Sequence, residues 1–182
     1  ALEYILLNKP KGVVTTVSDE KSRKTVVDLI SSDTRLFPVG RLDIDTTGLL
    51  LLTNDGELTY RLMHPKFNVD KTYEVYLDSE LNKDDEINIE NGIYLEEGKT
   101  AKCRIVFPES KNRRRVHLTI HQGWKRQIRR MFAHLGYHVL ELKRIAMASL
   151  RLNGLAVGQW RKLSSEELNK LRTEIGRNHG NY

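Results

Sequence analysis

The chain has 182 residues, 39% of them hydrophobic and 30% charged, and a net charge of +6. That length suits one domain or two packed subdomains with a real core, and the composition excludes a disordered or fibrous chain. No apolar run approaches the roughly 18 residues of a membrane helix, and a lone cysteine, Cys103, excludes an internal disulfide or a cysteine-rich metal site. The first residues lead straight into Asn8, Lys9 and Pro10 without the charged start and long apolar stretch of a secretion signal, so a reducing cytoplasm is expected.

In chain order, short β-branched or alternating runs predict strands over 4–7, 13–16, 49–53, 72–77, 102–107, 116–121 and 138–143. Helical patterns cover 25–30, 57–63 closed by Pro65, and 127–135 closed by Gly136. The acidic segment 82–91 reads as a small surface helix, a place where the sheet could part into two lobes, and no domain boundary is set there. A last helix starts at Ser165, behind a capping box in which Ser164 and Glu167 each satisfy the other's free backbone donor. Gly176, Asn178, Gly180 and Asn181 predict an unstructured tail, so the folded domain is expected over 1–172 and the tail over 173–182. Strands outnumber helices and do not alternate regularly with them. The expected class is α+β, a mixed, mostly antiparallel sheet with flanking helices.

Charge is unevenly spread. Lys111, Arg113, Arg114, Arg115, Lys125, Arg126, Arg129 and Arg130 follow one another with no acidic residue among them. From Asp78 to Lys99 the sign reverses, with only Lys83 and Lys99 against a run of carboxylates. A cationic face and an anionic face are expected, the footprint of a protein that binds a polyanion on one side; solvated charges spread by chance are the alternative.

The segment Val39-Gly40-Arg41-Leu42-Asp43-Ile44-Asp45-Thr46-Thr47-Gly48, running into four leucines and then Thr53-Asn54-Asp55-Gly56, reads as a polar loop delivered into a buried strand that ends in a turn. Loops anchored on rigid strands are where catalytic groups concentrate. On physical grounds alone, a structural loop whose aspartates cap turns is an equal reading. Around 127–135, a helical wheel puts Ile128, Met131, Phe132 and Leu135 on one apolar stripe, with Arg129 on its border and half buried. His64, His117, His121 and His134 show no metal-ligand spacing and no acidic partners, so no metal site is predicted.

Gly40-Arg41-Leu42-Asp43 with Thr47-Gly48-Leu49-Leu50-Leu51 and Thr53-Asn54-Asp55-Gly56 resembles the catalytic motif of RsuA/RluB-type ribosomal RNA pseudouridine synthases. Asn8-Lys9-Pro10-Lys11-Gly12, Leu62-Met63-His64-Pro65, Lys71-Thr72-Tyr73-Glu74-Val75, Gln122-Gly123-Trp124-Lys125-Arg126-Gln127-Ile128-Arg129-Arg130 and Val139-Leu140-Glu141-Leu142-Lys143-Arg144-Ile145 extend the resemblance from about Tyr4 to about Leu163. The resemblance implies the pseudouridine synthase fold, with its sheet in two fused subdomains. It implies Asp43 as the catalytic carboxylate, Tyr73 stacked on the target base and Arg129 as the cation paired with Asp43. Leu142 is implied near the active site.

Arg41, Lys125, Arg126 and Arg130, with Arg113, Arg114 and Arg115, are then expected to meet RNA phosphates. The reaction implied is conversion of a uridine, swung out of a structured stem-loop of ribosomal RNA, to pseudouridine by a monomer without cofactor. Details of 121–129 are closer to the large-subunit (23S) branch; a small-subunit enzyme and a non-catalytic RNA-binding or ribosome-assembly module are the alternatives. Relatives carry an N-terminal S4-type RNA-binding arm, which is expected to be missing here.

Overall fold

The structure, a computed structural model, describes residues 1–179, with side chains described over 1–176. Its strands are β1 (Tyr4–Lys9), β2 (Phe37–Pro38), β3 (Thr47–Thr53), β4 (Lys71–Leu77), β5 (Tyr94–Leu95), β6 (Gly98–Lys99), β7 (Arg104–Val106), β8 (Arg115–Ile120), β9 (Val139–Met147), β10 (Leu150–Arg151) and β11 (Trp160–Lys162). Its helices are α1 (Gly56–Met63), α2 (Lys83–Asn91), α3 (Gln127–His134) and α4 (Ser165–His179), with short 3₁₀ turns at Val26–Leu29 and Pro65–Phe67. The chain divides into two compact units, Ala1–Val69 with Ile145–Tyr182, and Asp70–Arg144. The acidic helix α2, at which the sequence sets no boundary, lies inside the second unit.

In the first unit β1 is central, antiparallel to β3 on one side and β11 on the other, and β2 adds to β3 through Phe37↔Thr53 and Pro38↔Leu52. Leu49 to Leu52 and Ile5 to Leu7 are all fully buried, so both faces of β1 and β3 are covered. A continuous apolar run, in place of alternation, is what such a strand requires. Each buried leucine contributes about 1.5–3 kcal/mol relative to exposure. Leu6, Leu49, Leu51, Leu58, Leu62, Phe67, Met147, Leu171 and Ile175 form one cluster.

The Asn-Asp-Gly segment after β3 forms a helix cap, not a free turn: Asp55 Oδ1 accepts from the Leu58 N–H at 3.1 Å. Asp55 Oδ2 accepts from the Tyr4 hydroxyl at 2.6 Å, and Arg172 donates to that hydroxyl at 2.7 Å, which ties α4 to β1 and α1. The Ser164–Glu167 capping box is present, at 2.9 and 3.1 Å. The tail expected from Thr173 is instead helical to His179. Leu171 and Ile175, four residues apart, are fully or almost fully buried in the cluster, and tertiary burial of that stripe overrides the weak propensity of Gly176 and Asn178. Residues 180–182 of that expected tail lie outside the described residues.

The strand expected over 13–16 is an isolated bridge between Val14 and Thr25, because the Thr15 hydroxyl engages the backbone of Leu42. The helix expected over 25–30 tightens to a 3₁₀ turn.

In the second unit the strand order is β9-β4-β8-β7, with β4 and β8 antiparallel through Lys71↔Ile120 to Tyr76↔Arg115. Val75, Leu77, Val116, Leu118 and Ile120 pack with Ile128, Met131 and Phe132 of α3 and with Ile89 of α2. Thus α3 buries the stripe its sequence predicts. Asn82 caps α2 by accepting from Asp85 N–H at 2.8 Å, and the carboxylates of its first turn favour the positive end of the helix dipole. A hairpin of β5 and β6 follows α2. The sheet class expected from the sequence is found, while β2, β5, β6, β10 and β11 are too short to carry a periodic signal.

Candidate active site

The loop 40–46 is fixed by the segment that follows β1. Gly40 has φ 78°, and a Cβ there would stand 2.7 Å from Met63 Cε of α1, so a side chain at this point meets both strain and a neighbour. The Thr15 hydroxyl donates to Leu42 O at 2.8 Å and accepts from Leu42 N–H at 3.2 Å. Gly12 N–H donates to Ile44 O at 2.9 Å, and Thr46 N–H closes onto Asp43 O at 2.9 Å.

Beneath this loop lies Lys9, with no exposed surface at all. Its ammonium donates to Pro10 O at 2.9 Å, Ile44 O at 3.4 Å and Thr46 O at 2.7 Å, so three protons meet three carbonyls. Burial lowers its pKa to about 8, while the charges of Asp45 and Asp43 act in the opposite direction. Asp43 is therefore a half-buried carboxylate on a loop whose Leu42, Asp43, Ile44 and Thr46 carbonyls are all bonded, with a buried cation below it. Arg41 beside it is exposed. The sequence marks Lys9 only as part of a motif; nothing in it shows that a lysine is buried there.

Tyr73 lies on β4 opposite Leu118, in the second unit. Strand alternation sets Lys71, Tyr73 and Val75 on one face, and Tyr73 is half-buried against the core cluster. Tyr76 points the other way, where the Glu74 carboxylate raises its phenol pKa. His117 sits 3.2 Å from Glu74 as well, an acidic partner that the sequence did not reveal.

The approach to α3 is pinned by two amides. Gln127, almost fully buried, accepts from Trp124 N–H at 2.9 Å and donates to Gln122 Oε1 at 2.8 Å, which also accepts from Ala101 N–H at 2.9 Å. The turn forces Arg126 to φ 50°, a left-handed conformation that costs about 1–2 kcal/mol for a residue with a Cβ. Arg129 is half-buried, as its place on the wheel predicts, and Lys125 and Arg126 are exposed.

Three of the expected phosphate contacts are engaged elsewhere. Arg130 forms a two-pronged pair with Glu97 at 2.7 and 2.6 Å. Arg115 pairs with Glu74 and Glu109, each at 3.0 Å. Arg113 donates to Leu81 O at 2.6 Å, pairs with Glu86 at 3.2 Å and lies over the Phe107 ring. The acidic and basic segments thus neutralise each other within the second unit instead of forming the separate faces expected, because α2, the β5–β6 hairpin and β8 fold together. Arg114, Lys125 and Arg126 remain exposed there. Cys103 is a packing residue, its thiol donating to Ile89 O at 3.3 Å and its pKa pushed up to about 12 by burial and then by Glu90.

Compared with known proteins, residues 3–134 match the family model described as RNA pseudouridylate synthase. The chain is 46% identical over 173 residues to the ribosomal large subunit pseudouridine synthase B of Bacillus subtilis (strain 168), covering 93% of this chain and 71% of that one. A crystal structure of pseudouridylate synthase superimposes with a TM-score of 0.85 at 33% identity, over 94% of this chain and 74% of that chain. Human RNA Pseudouridylate Synthase Domain Containing 1 shares the fold alone, with a TM-score of 0.57 at 15% identity over 93% of this chain and 91% of that chain.

Proposed function

We propose, from the premise that this chain belongs to the RNA pseudouridylate synthase family, that it isomerises one uridine of large-subunit ribosomal RNA through Asp43. The observation that carries this reading is the loop 40–46. Every backbone carbonyl from Leu42 to Thr46 with a described partner is bonded to Lys9, Gly12, Thr15 or Thr46 itself, so the Asp43 carboxylate is presented on a rigid base. Preorganisation of that kind is what a carboxylate needs if it is to act on a ribose without reorganising during the reaction.

Tyr73 holds the flipped base by stacking, worth about 1–3 kcal/mol, and Arg129 supplies the cation paired with Asp43. Both roles rest on the motif resemblance. Arg41, Arg114, Lys125 and Arg126, all exposed, meet phosphates. The enzyme works in the cytoplasm as a monomer on a uridine turned out of a stem-loop. The large-subunit assignment rests on the Bacillus relative and its extent of identity.

The test is to incubate the protein and Asp43→Ala with unmodified transcripts of both ribosomal RNAs and map pseudouridine by chemical derivatisation and primer extension. A single large-subunit uridine converted by the wild type and left intact by the variant is expected. Binding of RNA without conversion by either protein would make the chain an RNA-binding module instead.

A further inference from the structure

Lys71 is 9% exposed at the start of β4. Among the described residues its ammonium has no hydrogen-bond acceptor and no carboxylate at ion-pair distance, and the charge that acts on it is that of Arg144, 2% exposed on the adjacent β9. Burial first, and then this like charge, push its pKa down to about 8. Lys9 is the internal comparison: with no exposed surface, it places its three protons on three carbonyls. A buried ammonium beside a second cation, without such compensation, destabilises the ligand-free fold. Costs of this kind persist at sites where a ligand removes them.

The position is informative. Lys71 shares its strand face with Tyr73, about 6.6 Å further along the strand. Its Nζ stands 3.5 Å from where a Cβ of Gly123 would be, under the turn that opens the basic helix α3. We propose that Lys71, with Arg144 beside it, is a cationic subsite for an anionic oxygen of the nucleotide whose base Tyr73 holds. This rests on the reading of the chain as a uridine isomerase. Two groups of that nucleotide have the required chemistry. When the N1–C1′ bond breaks, its electron pair goes to the uracil, and O2 and O4 carry the charge until the base rejoins through C5, losing the C5 proton and gaining one at N1. The other candidate is the nucleotide's own phosphate. In either case the like-charge repulsion is relieved on binding.

The experiment compares wild type, Lys71→Met and Lys71→Arg in thermal unfolding without RNA, in RNA binding across salt concentrations, and in single-turnover conversion. Wild-type conversion is the control for the functional reading itself; its absence would overturn that reading and the subsite with it, whereas failure of the Lys71 variants alone would overturn only the subsite. Lys71→Met is expected to unfold about 2–4 °C higher yet to convert uridine about a hundredfold more slowly, with Lys71→Arg restoring part of the rate. Unchanged binding with a slower chemical step assigns the subsite to the uracil oxygens. Weaker binding, with the slope of log affinity against log salt reduced by about one, assigns it to the phosphate. A Lys71→Met protein that converts uridine like the wild type, or one that unfolds earlier as it loses activity, overturns the proposal.

Discussion

The ammonium of Lys9 donates to the carbonyl of Thr46 at 2.7 Å, so a cation buried at the end of β1 fastens the loop that carries Asp43. The pair is separated by 37 positions in the chain, and its geometry ties the first motif of the sequence to the second. Lysine suits the place because it brings three donors to three carbonyls and a charge that offsets two nearby carboxylates.

Lys9→Met keeps the apolar stem but leaves those carbonyls without a donor. Each buried unsatisfied acceptor costs about 1–3 kcal/mol, part of which is offset by removing the desolvated charge. A net loss of roughly 2 kcal/mol is expected, with turnover falling more than stability. Denaturant titration and single-turnover assays check this; an unchanged midpoint with full activity would mean that the loop holds itself.

Charge removal should separate phosphate contacts from structural arginines. Lys125→Ala and Arg126→Ala should each lower the slope of log affinity against log salt by about 0.7–0.9. Arg130→Ala should leave the slope alone and act on stability by at most about 1 kcal/mol, since Arg130 is already paired with Glu97 at the surface. A slope lowered by Arg130→Ala would show that Glu97 releases it to the RNA.

Stability should rise with pH between about 8 and 10.5 by way of two groups, Lys9 and Lys71, whose pKa is about 8 in the fold against an ordinary 10.5. In that window the unfolded chain holds the protons that the folded one has released, so raising pH favours folding, and below pH 8 the full cost of both buried charges is present. Lys71→Met should flatten its part of this rise. Urea midpoints measured from pH 7 to 10 would read it, and a flat wild-type profile would contradict both shifts.

At the acid end the marker is Glu167, held at about 2 by Arg161 and then by the backbone of Ser164. Its folded pKa is depressed, so its contribution is complete above the ordinary 4.5 and is lost as pH falls towards 2. Glu167→Ala should loosen α4 by about 1 kcal/mol at pH 7 through loss of the capping box, and the difference from wild type should vanish near pH 2. Helix content followed by circular dichroism against temperature at the two pH values distinguishes this from a general effect.

Much of the architecture was legible because its signals are local. The leucine run of β3 announces a strand buried on both faces. The stripe of Ile128, Met131 and Phe132 announces α3, and Ser164 with Glu167 announces the start of α4. The loop of Asp43 stood out through its glycines and paired carboxylates and through the family it resembles. The end of α4 was not legible, because Leu171 and Ile175 stay helical through a core built from distant segments.

By itself, then, the sequence determined the sheet-rich α+β class and the principal strands and helices, since these follow from periodicity and capping within a few residues of each other. Only the tertiary structure decided which charges are available. It buried Lys9 under the loop and Lys71 beside Arg144, and it gave Arg113, Arg115 and Arg130 carboxylate partners from other elements. The physical reason is that the state of a charge depends on its solvent exposure and on the atoms within a few ångströms. Both are set by parts of the chain that the sequence places far apart.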